Sequence, residues 1–328
     1  MRVLYYVNTF KENNYNSNID QTIPLVSVAM ATFNGALFLE EQLASIFNQT
    51  YNNLEVIICD DGSNDGTAEI LETFSNKHEN LDVYINSKNL GFVGNFEKAI
   101  SLCKGDYIAL TDQDDIWMDN KIECLIRDIG ESALVHSDAT LIDAKGQIIG
   151  ESWSDFYCKN NFQPFENYIL SNNNITGCTC LFTKELKKLL LPIPKGIPYH
   201  DWWLAIVAYY NGGISYSDKK LIGYRQHDSN HTGYMPTTLK ESKKTYISRE
   251  LAYLNTLLGC MDKLNLPEKS ELFLRNMIKF YDYKLGSFYS FRSLYIYVSN
   301  LSTIKKASKT VIGLREIIRA GQGSEYFK

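Results

Sequence analysis

The chain has 328 residues, 45% of them hydrophobic, which is enough for one large domain and a smaller second region. No stretch of about 18 apolar residues occurs, so we expect no spanning helix, and residues 1–20 lack the apolar core of a secretory signal peptide. Seven cysteines, an odd number lying mostly within predicted strands and helices, favour reduced thiols in a cytoplasmic protein over a disulfide-linked secreted one.

Strands and helices alternate over the first third of the chain. Short apolar runs that end at polar turns predict strands, and apolar residues three and four positions apart predict helices. The predicted strands are 25–31, 54–59 and 83–85, and the predicted helices are 36–48, 67–75 and 91–103. Strands that alternate with helices about every 30 residues pair in parallel, so we predict an open α/β sheet.

Three carboxylates, Asp112, Asp114 and Asp115, follow a further apolar run at residues 106–110. An ionised carboxylate at the end of a buried strand costs several kcal/mol unless a cation or hydrogen-bond donors offset that cost. Mg²⁺ and Mn²⁺ take such oxygen ligands and often share them with substrate phosphates. The stretch therefore indicates a divalent metal site. The alternative is a solvated acidic turn that caps the next helix.

Polar residues also follow the first two predicted strands. Thr32 and Asn34 follow the first, and Asp60 and Asp61 follow the second. In open α/β sheets, ligands bind outside the carboxyl ends of the strands. Because these side chains and residues 112–115 would meet at that edge, the sequence predicts one site there and not three unrelated turns.

Asp201 lies at the start of a predicted apolar helix over residues 202–208. A carboxylate in a first helical turn is either a cap or, in a catalytic setting, a general base. The helix dipole favours its ionised form, whereas the neighbouring tryptophans desolvate it and oppose ionisation.

Two later segments carry further candidates. His227 follows a predicted strand over residues 221–225 that ends in Arg225, a residue type that binds phosphate. Imidazole can complete a Mn²⁺ shell beside carboxylates, although a histidine after a strand is also a common surface residue. Cys178 and Cys180 alternate along a predicted strand and should face opposite sides of it, which argues against a shared metal ion.

Several of these segments form ordered motifs. Residues 28–35 (VAMATFNG), 58–67 (ICDDGSNDGT), 89–91 (NLG) and 105–117 (GDYIALTDQDDIW) resemble the opening of a family 2 glycosyltransferase with the GT-A fold. Two later motifs, HDWW at 200–203 and YRQH at 224–227, resemble the rhamnosyltransferase-like branch that builds bacterial surface polysaccharides. The resemblance covers about residues 24–230.

The resemblance implies an α/β fold of the GT-A, Rossmann-like type, with a mixed, mainly parallel sheet flanked by helices. It implies an inverting, metal-dependent hexosyltransferase that uses Mn or Mg as its cofactor. The enzyme would move one sugar from dTDP-rhamnose or a UDP-hexose to a glycan or lipid-linked acceptor in O-antigen or capsule synthesis.

The same resemblance implies roles for individual residues near the metal. Asp114 would be the principal metal carboxylate, and Asp112 would lie near the ribose and the metal. Asp115 would either join them, cap the helix that begins near residue 119, or orient Trp117. His227 would complete the metal shell or contact the diphosphate.

For the donor, the resemblance places Asp60 or Asp61 against the N–H of the base and leaves the choice between them open. Gly177 would allow close backbone approach in the sugar pocket. Asp201 would take the proton from the acceptor hydroxyl. The predicted donor-binding residues are Thr32, Asn34, Asp60, Asp61, Asn89, Asp112, Gly177 and Arg225.

Charge divides the chain into two regions. Residues 235–328 hold 16 Lys and Arg against 8 Asp and Glu, a net charge of +8, whereas residues 1–234 hold 17 against 30, a net charge of −13. We predict a catalytic domain over 1–234 and a basic, mainly α-helical region over 235–328. That region is either a peripheral contact with the anionic inner membrane surface or a helical appendage packed on the catalytic domain. No nucleic-acid motif is present.

Other functional classes fit less well. A sugar nucleotidyltransferase would have a basic, glycine-rich phosphate loop after the first strand, and residues 32–35 contain no Lys or Arg. A non-catalytic carbohydrate-binding protein would explain the aromatic residues but not the carboxylates. A processive synthase would have spanning helices and a Q-x-x-R-W-type motif, so transfer of a single sugar is preferred.

Overall fold

The computed structural model describes residues 23–157, 175–227, 243–264 and 266–285. The described strands are β1 Val26–Thr32, β2 Leu54–Asp60, β3 Leu81–Ile85, β4 Tyr107–Thr111, β5 Ile116–Trp117, β6 Leu134–Ile142, β7 Ile148–Gly150, β8 Cys180–Thr183 and β9 Ile214–Arg225. The described helices are α1 Ala36–Phe47, α2 Thr67–Ser75, α3 Gly91–Leu102, α4 Lys121–Ile129, α5 Trp153–Tyr157, α6 Lys184–Leu190, α7 His200–Tyr210, α8 Lys243–Gly259, α9 Met261–Leu264 and α10 Glu268–Leu285.

These strands form one mixed sheet in the order β3-β2-β1-β4-β8-β6-β9-β5, with β7 paired to β6. The pairs β3–β2, β2–β1 and β1–β4 are parallel, and β8 is antiparallel to both β4 and β6. The first four strands therefore have their carboxyl ends at the same edge, as the β-α-β alternation in the sequence predicts. The predicted architecture, a mainly parallel sheet flanked by helices, is confirmed.

Each face of the sheet is covered by its own set of helices. Alternate residues of β1 enter different apolar clusters, with Ala29 on one face and Val28 and Met30 on the other. The first face packs against α3, α6 and α7, and the second against α1, α2 and α4. Full burial of each Leu or Ile side chain in such layers stabilises the fold by about 1.5–3 kcal/mol.

Helices α8 and α10 belong to the first of these layers. Leu254 of α8 and Leu274 of α10 lie in the same buried cluster as Trp203 of α7. The predicted boundary between residues 234 and 235 lies outside the described residues, as do the clusters of basic residues at 305–309, so both stay predictions.

The segment around Cys178 differs from its prediction. Residues Gly177–Thr179 form a 3₁₀ turn, and the strand begins only at Cys180. The two thiols still point into opposite core layers, as alternation would require. All six cysteines of the described ranges are free thiols. Within those ranges, no helix combines the length and the apolar character needed to cross a membrane.

Candidate active site

The turn after β2 is organised by Asp60. Its Oδ1 accepts hydrogen bonds from Thr32 Oγ1 at 2.9 Å and from Ser63 Oγ at 2.5 Å. Its Oδ2 accepts from the backbone N–H groups of Gly62 at 3.0 Å and of Ser63 at 2.8 Å. The two oxygens of the buried Asp60 carboxylate therefore accept four hydrogen bonds, which join the loops after β1 and β2. These internal bonds use the acceptor capacity that a ligand would otherwise need.

Asp61 is placed differently. Its Oδ1 accepts from Asn86 Nδ2 at 2.6 Å and from the Leu90 N–H at 3.0 Å, and Asn89 Nδ2 donates to its backbone oxygen at 3.4 Å. No described residue donates to Oδ2 of Asp61. Asp61 is therefore the better candidate of the two acidic residues for a contact with a ligand.

Asn34 has a positive φ of 49°, a left-handed conformation that asparagine tolerates better than most residues. Its Oδ1 accepts from the Asn64 N–H at 3.0 Å, and its own N–H donates to Ser63 Oγ at 2.7 Å. Gln113, which the sequence interpretation passed over, pairs with the backbone of Phe33 through both of its side-chain polar atoms, at 2.9 and 3.2 Å. These contacts join the loops after β1, β2 and β4 into one rim.

Four carboxylates meet at this edge. Burial raises the pKa of Asp112 well above its ordinary value, and the negative charges of Asp115, Asp114 and Asp201 raise it further. Burial and the charge of Asp114 raise the pKa of Asp115 to about 7. Such mutual repulsion arises only between groups that lie close together, so the predicted convergence of the acidic motif with Asp201 is present in the fold.

The metal-binding potential of this cluster rests on its oxygen atoms. Ligand atoms of Asp112, Asp115 and Cys178 all lie within 4.8 Å of one another, and Asp115 Oδ2 is buried without a hydrogen-bond partner among the described residues. Burial raises the pKa of the Cys178 thiol, and Mg²⁺ and Mn²⁺ prefer oxygen ligands, so the two carboxylates are the stronger candidates. Crowded, partly unpartnered carboxylates of this kind fit a divalent cation.

Asp114 contacts His227, because the imidazole Nε2 lies 3.0 Å from Asp114 Oδ2. The His227 ring also packs against Phe38 of α1, with ring centroids 4.6 Å apart. The sequence suggested both residues as metal ligands, and the fold brings their side chains together.

The Arg225 side chain is buried and makes its contacts with other residues of the protein. Its side chain is only 1% exposed. Its guanidinium donates to the backbone oxygens of Asp114 at 2.7 Å and of Ala144 at 3.2 Å, pairs with the Glu41 carboxylate, and lies 4.7 Å above the Phe38 ring. Its backbone N–H donates to Asp115 Oδ1 at 3.0 Å. This geometry favours a role in positioning the acidic motif over the diphosphate contact suggested by the residue type.

Asp201 is the second residue of α7, after the N-cap Tyr199 and His200. Its Oδ2 accepts from the Gly177 N–H at 3.3 Å, and its Oδ1 is buried without a hydrogen-bond partner among the described residues. Burial raises its pKa to about 7, although nearby backbone N–H groups partly offset the effect. A buried carboxylate with one oxygen unpartnered among the described residues, at a helix start where no side chain of those residues makes a capping hydrogen bond, suits a general base better than a helix cap.

Gly177 approaches His200 so closely that a Cβ on residue 177 would lie 2.7 Å from His200 Nε2. The His200 ring is buried and stacks on Phe96 with centroids 3.9 Å apart, so it has no room to move away. We therefore expect Gly177→Ala to lower the free energy of unfolding by about 1–3 kcal/mol, as overpacking does. Urea denaturation measures this change.

Gly259 provides the control for that variant. It ends α8, and apart from its chain neighbours and the backbone of its own helix, no atom of the described residues lies within 4 Å of a Cβ built on it. Gly259→Ala should be neutral or stabilising, because alanine is the better helix former. Equal stability of the Gly177→Ala variant and the native protein would show that the close approach to His200 is relaxed at no cost.

Lys121 is a site residue that the sequence interpretation missed. It is fully buried at the first position of α4, where its Nζ donates to the Cys178 backbone oxygen at 2.6 Å and lies 3.7 Å from the Trp117 ring centroid. Burial lowers its pKa to about 8, and the charges of Asp115 and Asp112 oppose this shift. The sequence contains one sign of its burial: Lys121 lies four residues before Leu125, and this spacing places both side chains on the same, apolar face of the helix.

Comparisons with known proteins concern the family and the fold of this chain. A family model described as Glycosyl transferase family 2 matches residues 27–188. The dTDP-rhamnosyl transferase RfbG of Shigella flexneri is 30% identical to this chain over 230 residues, which are 62% of this chain and 73% of RfbG.

Solved structures show the same fold at low sequence identity. TarS 1–349 of S. aureus in complex with UDP-GlcNAc matches with a TM-score of 0.55 at 18% identity, covering 90% of this chain and 79% of that one. The mannosyltransferase PcManGT from Pyrobaculum calidifontis, in complex with GDP-Man and Mn²⁺, matches with a TM-score of 0.50 at 15% identity, covering 95% and 83%. The predicted GT-A architecture is confirmed by these likenesses.

Proposed function

This chain belongs to glycosyl transferase family 2, and from that premise we propose that it is an inverting, metal-dependent transferase that moves one sugar from a nucleotide-sugar to an acceptor hydroxyl. The observation that carries the proposal is the meeting of Asp112, Asp114, Asp115 and Asp201 at the carboxyl edge of the sheet. The first three carboxylates suit a cation beside a diphosphate, and the fourth suits a base on the acceptor side.

The metal proposal concerns Mn or Mg held by Asp114, with Asp112 and His227 as further ligands. A bound divalent ion acts as a Lewis acid that stabilises the charge left on the departing nucleotide diphosphate. Arg225 supports this arrangement through two hydrogen bonds. Its backbone N–H donates to Asp115 Oδ1, and its guanidinium donates to the Asp114 backbone oxygen. The second oxygen of Asp115, Oδ2, has no hydrogen-bond partner among the described residues, so we propose that Asp115 also faces the cation.

We propose that Asp61 recognises the base of the nucleotide, because its Oδ2 accepts no hydrogen bond from the described residues. Thr32, Asn34 and Asp60 shape the same pocket through the hydrogen bonds that join the loops after β1 and β2. Asn89 holds the Asp61 backbone oxygen from the loop before α3.

Two matched variants test this choice. Asp61→Asn should raise the KM for the donor by about 10–100-fold, the cost of a charge-assisted hydrogen bond, and leave the fold intact. Asp60→Asn should instead lower the melting temperature, because an amide nitrogen cannot accept the bonds that now reach the Asp60 oxygens. Donor saturation kinetics and thermal unfolding of both variants measure these effects. A higher KM in Asp60→Asn at native stability would reverse the assignment.

The donor and acceptor are proposed from the sequence motifs and from RfbG. We propose dTDP-rhamnose or a UDP-hexose as donor and a glycan or lipid-linked saccharide as acceptor, in the synthesis of a bacterial O-antigen or capsule. Incubation of the protein with Mn²⁺ or Mg²⁺ and a panel of nucleotide-sugars, scored by release of nucleotide diphosphate, tests the activity and selects the donor. Release from none of the panel members with either ion, and with candidate acceptors present, would contradict the proposal.

A lipid-linked acceptor agrees with peripheral membrane association through the basic C-terminal region. The net charge of +8 in residues 235–328 predicts binding to anionic vesicles that weakens as salt rises past about 0.15 M, where the Debye length is about 8 Å. Replacing Lys305, Lys306 and Lys309 with Glu should abolish vesicle sedimentation and leave donor hydrolysis unchanged. Indifference of the native protein to anionic vesicles at low salt would favour the packed appendage.

A further inference from the structure

Lys121 links two parts of the site that lie far apart in the sequence. Its backbone begins α4, just after the acidic motif, and its Nζ donates to the Cys178 oxygen in the 3₁₀ turn Gly177–Thr179. The N–H of Gly177 in that turn donates to Asp201 Oδ2 at 3.3 Å. One series of contacts therefore connects the end of the acidic motif to the proposed base.

Burial of the Lys121 ammonium group at this position is energetically unfavourable by itself. Burying a lysine costs free energy unless its charge is compensated, and a cation in the first turn of a helix opposes the helix dipole. A methionine would fill a similar volume without either cost. The ammonium has compensating partners: the Cys178 oxygen, the face of the Trp117 ring, and the nearby charges of Asp115 and Asp112.

We propose that Lys121 is a positioning residue for the transfer step: it fixes the turn Gly177–Thr179 against the acidic motif, so that Asp201 faces the acceptor hydroxyl. This inference rests on the proposed role of Asp201 as the base. It concerns alignment between two halves of the site and not the binding of the donor. The alternative is a lysine that contributes only to packing of α4.

The test is a double-mutant cycle between Lys121 and Asp201. Lys121→Met alone should lower kcat by about 10–100-fold, the scale expected for a misplaced catalytic group, and change the KM for the donor by less than about twofold. In the Asp201→Asn background the same change should lower the residual kcat by less than about threefold, because the group that Lys121 aligns is already disabled. Steady-state kinetics with the donor selected from the panel measure all four proteins.

Lys187 supplies the matched control. It is a lysine of α6 whose Nζ also donates to backbone oxygens, those of Ser101 and Cys103. Lys187→Met should leave kcat and the donor KM unchanged. If Lys121→Met fails to fold, as judged by circular dichroism, Lys121→Leu, which also lacks a donor, replaces it in both backgrounds, with the same expectation for kcat and KM.

The outcomes separate this proposal from the proposed function. Equal loss of kcat from Lys121→Met in both backgrounds, or a rise in KM with unchanged kcat, would overturn the positioning role while the base assignment stands. Near-native turnover of the single variant Asp201→Asn would overturn the base assignment, and the positioning role would be overturned with it.

Discussion

Asp114→Ala is expected to remove most of the transferase activity, on the order of 10²–10³-fold in kcat/KM, while the protein stays folded. The Asp114 carboxylate lies at the rim of the site, 16% exposed and next to His227, so its loss leaves no cavity in the core. The lost activity reflects several kcal/mol of charge stabilisation on the leaving diphosphate. Nucleotide diphosphate release at saturating Mn²⁺, with circular dichroism as a check on folding, measures this result.

Asp119→Ala is the control, since Asp119 is an exposed aspartate close behind the motif and changes the net charge by the same amount. It should retain native activity. His227→Ala should shift the Mn²⁺ concentration needed for half-maximal activity upward and lower the maximal rate less than Asp114→Ala does. Full activity of the native enzyme in excess EDTA would contradict the metal proposal, and full activity of Asp114→Ala would remove Asp114 from it.

The strands and the location of the site could be predicted from the sequence because both depend on local pattern. The apolar runs before Thr32, Asp60 and Asp112 are strands, and β-α-β connection makes them parallel with their carboxyl ends together. Once that is given, polar residues just after each strand must lie at one edge, whatever the details of the loops.

The roles of individual side chains could not be predicted in the same way, because each depends on which donors surround the side chain in three dimensions. Asp60 and Asp61 are neighbours in the sequence, yet four donors occupy the first carboxylate and one oxygen of the second lacks a donor among the described residues. By residue type, Arg225 is a candidate phosphate ligand. In the fold its guanidinium instead pairs with Glu41 and lies over the Phe38 ring, and both residues are nearly 190 positions earlier in the sequence.

Lys121 illustrates the same limit from the other side. Charged residues on an otherwise apolar helical face are usually read as solvated, and the sequence shows no partner for this one. Its partners come from the turn Gly177–Thr179, nearly 60 residues later, and from the indole ring of Trp117. The burial of this ammonium group depends on contacts between segments that are distant in the sequence, and local sequence patterns do not predict such contacts.

Asp201→Asn is expected to lower turnover by about 10²–10⁴-fold with little change in donor binding, because asparagine keeps the size of the side chain but cannot accept a proton. Transfer by a base on the acceptor side requires attack from the face opposite the nucleotide, so the product linkage should be inverted relative to the donor. Product NMR determines the linkage, and rapid-quench or steady-state assays give the rate. Asp218→Asn, an exposed change on β9, should be neutral.

The pH dependence of the same variant distinguishes a general base from a structural residue of the first helical turn. Burial raises the pKa of Asp201 to about 7, and only the ionised carboxylate can accept the proton. The kcat/KM of the native enzyme should therefore rise with pH up to about 7 and then level off, since each unit below the pKa removes about tenfold of the active form. At saturating Mn²⁺, which favours the ionised form of the carboxylates in the acidic motif, this rise should be absent from the residual activity of Asp201→Asn. A variant that keeps near-native turnover and the same pH profile, or a product with retained linkage, would assign the proton transfer to another group and leave Asp201 as a structural residue in the first turn of α7.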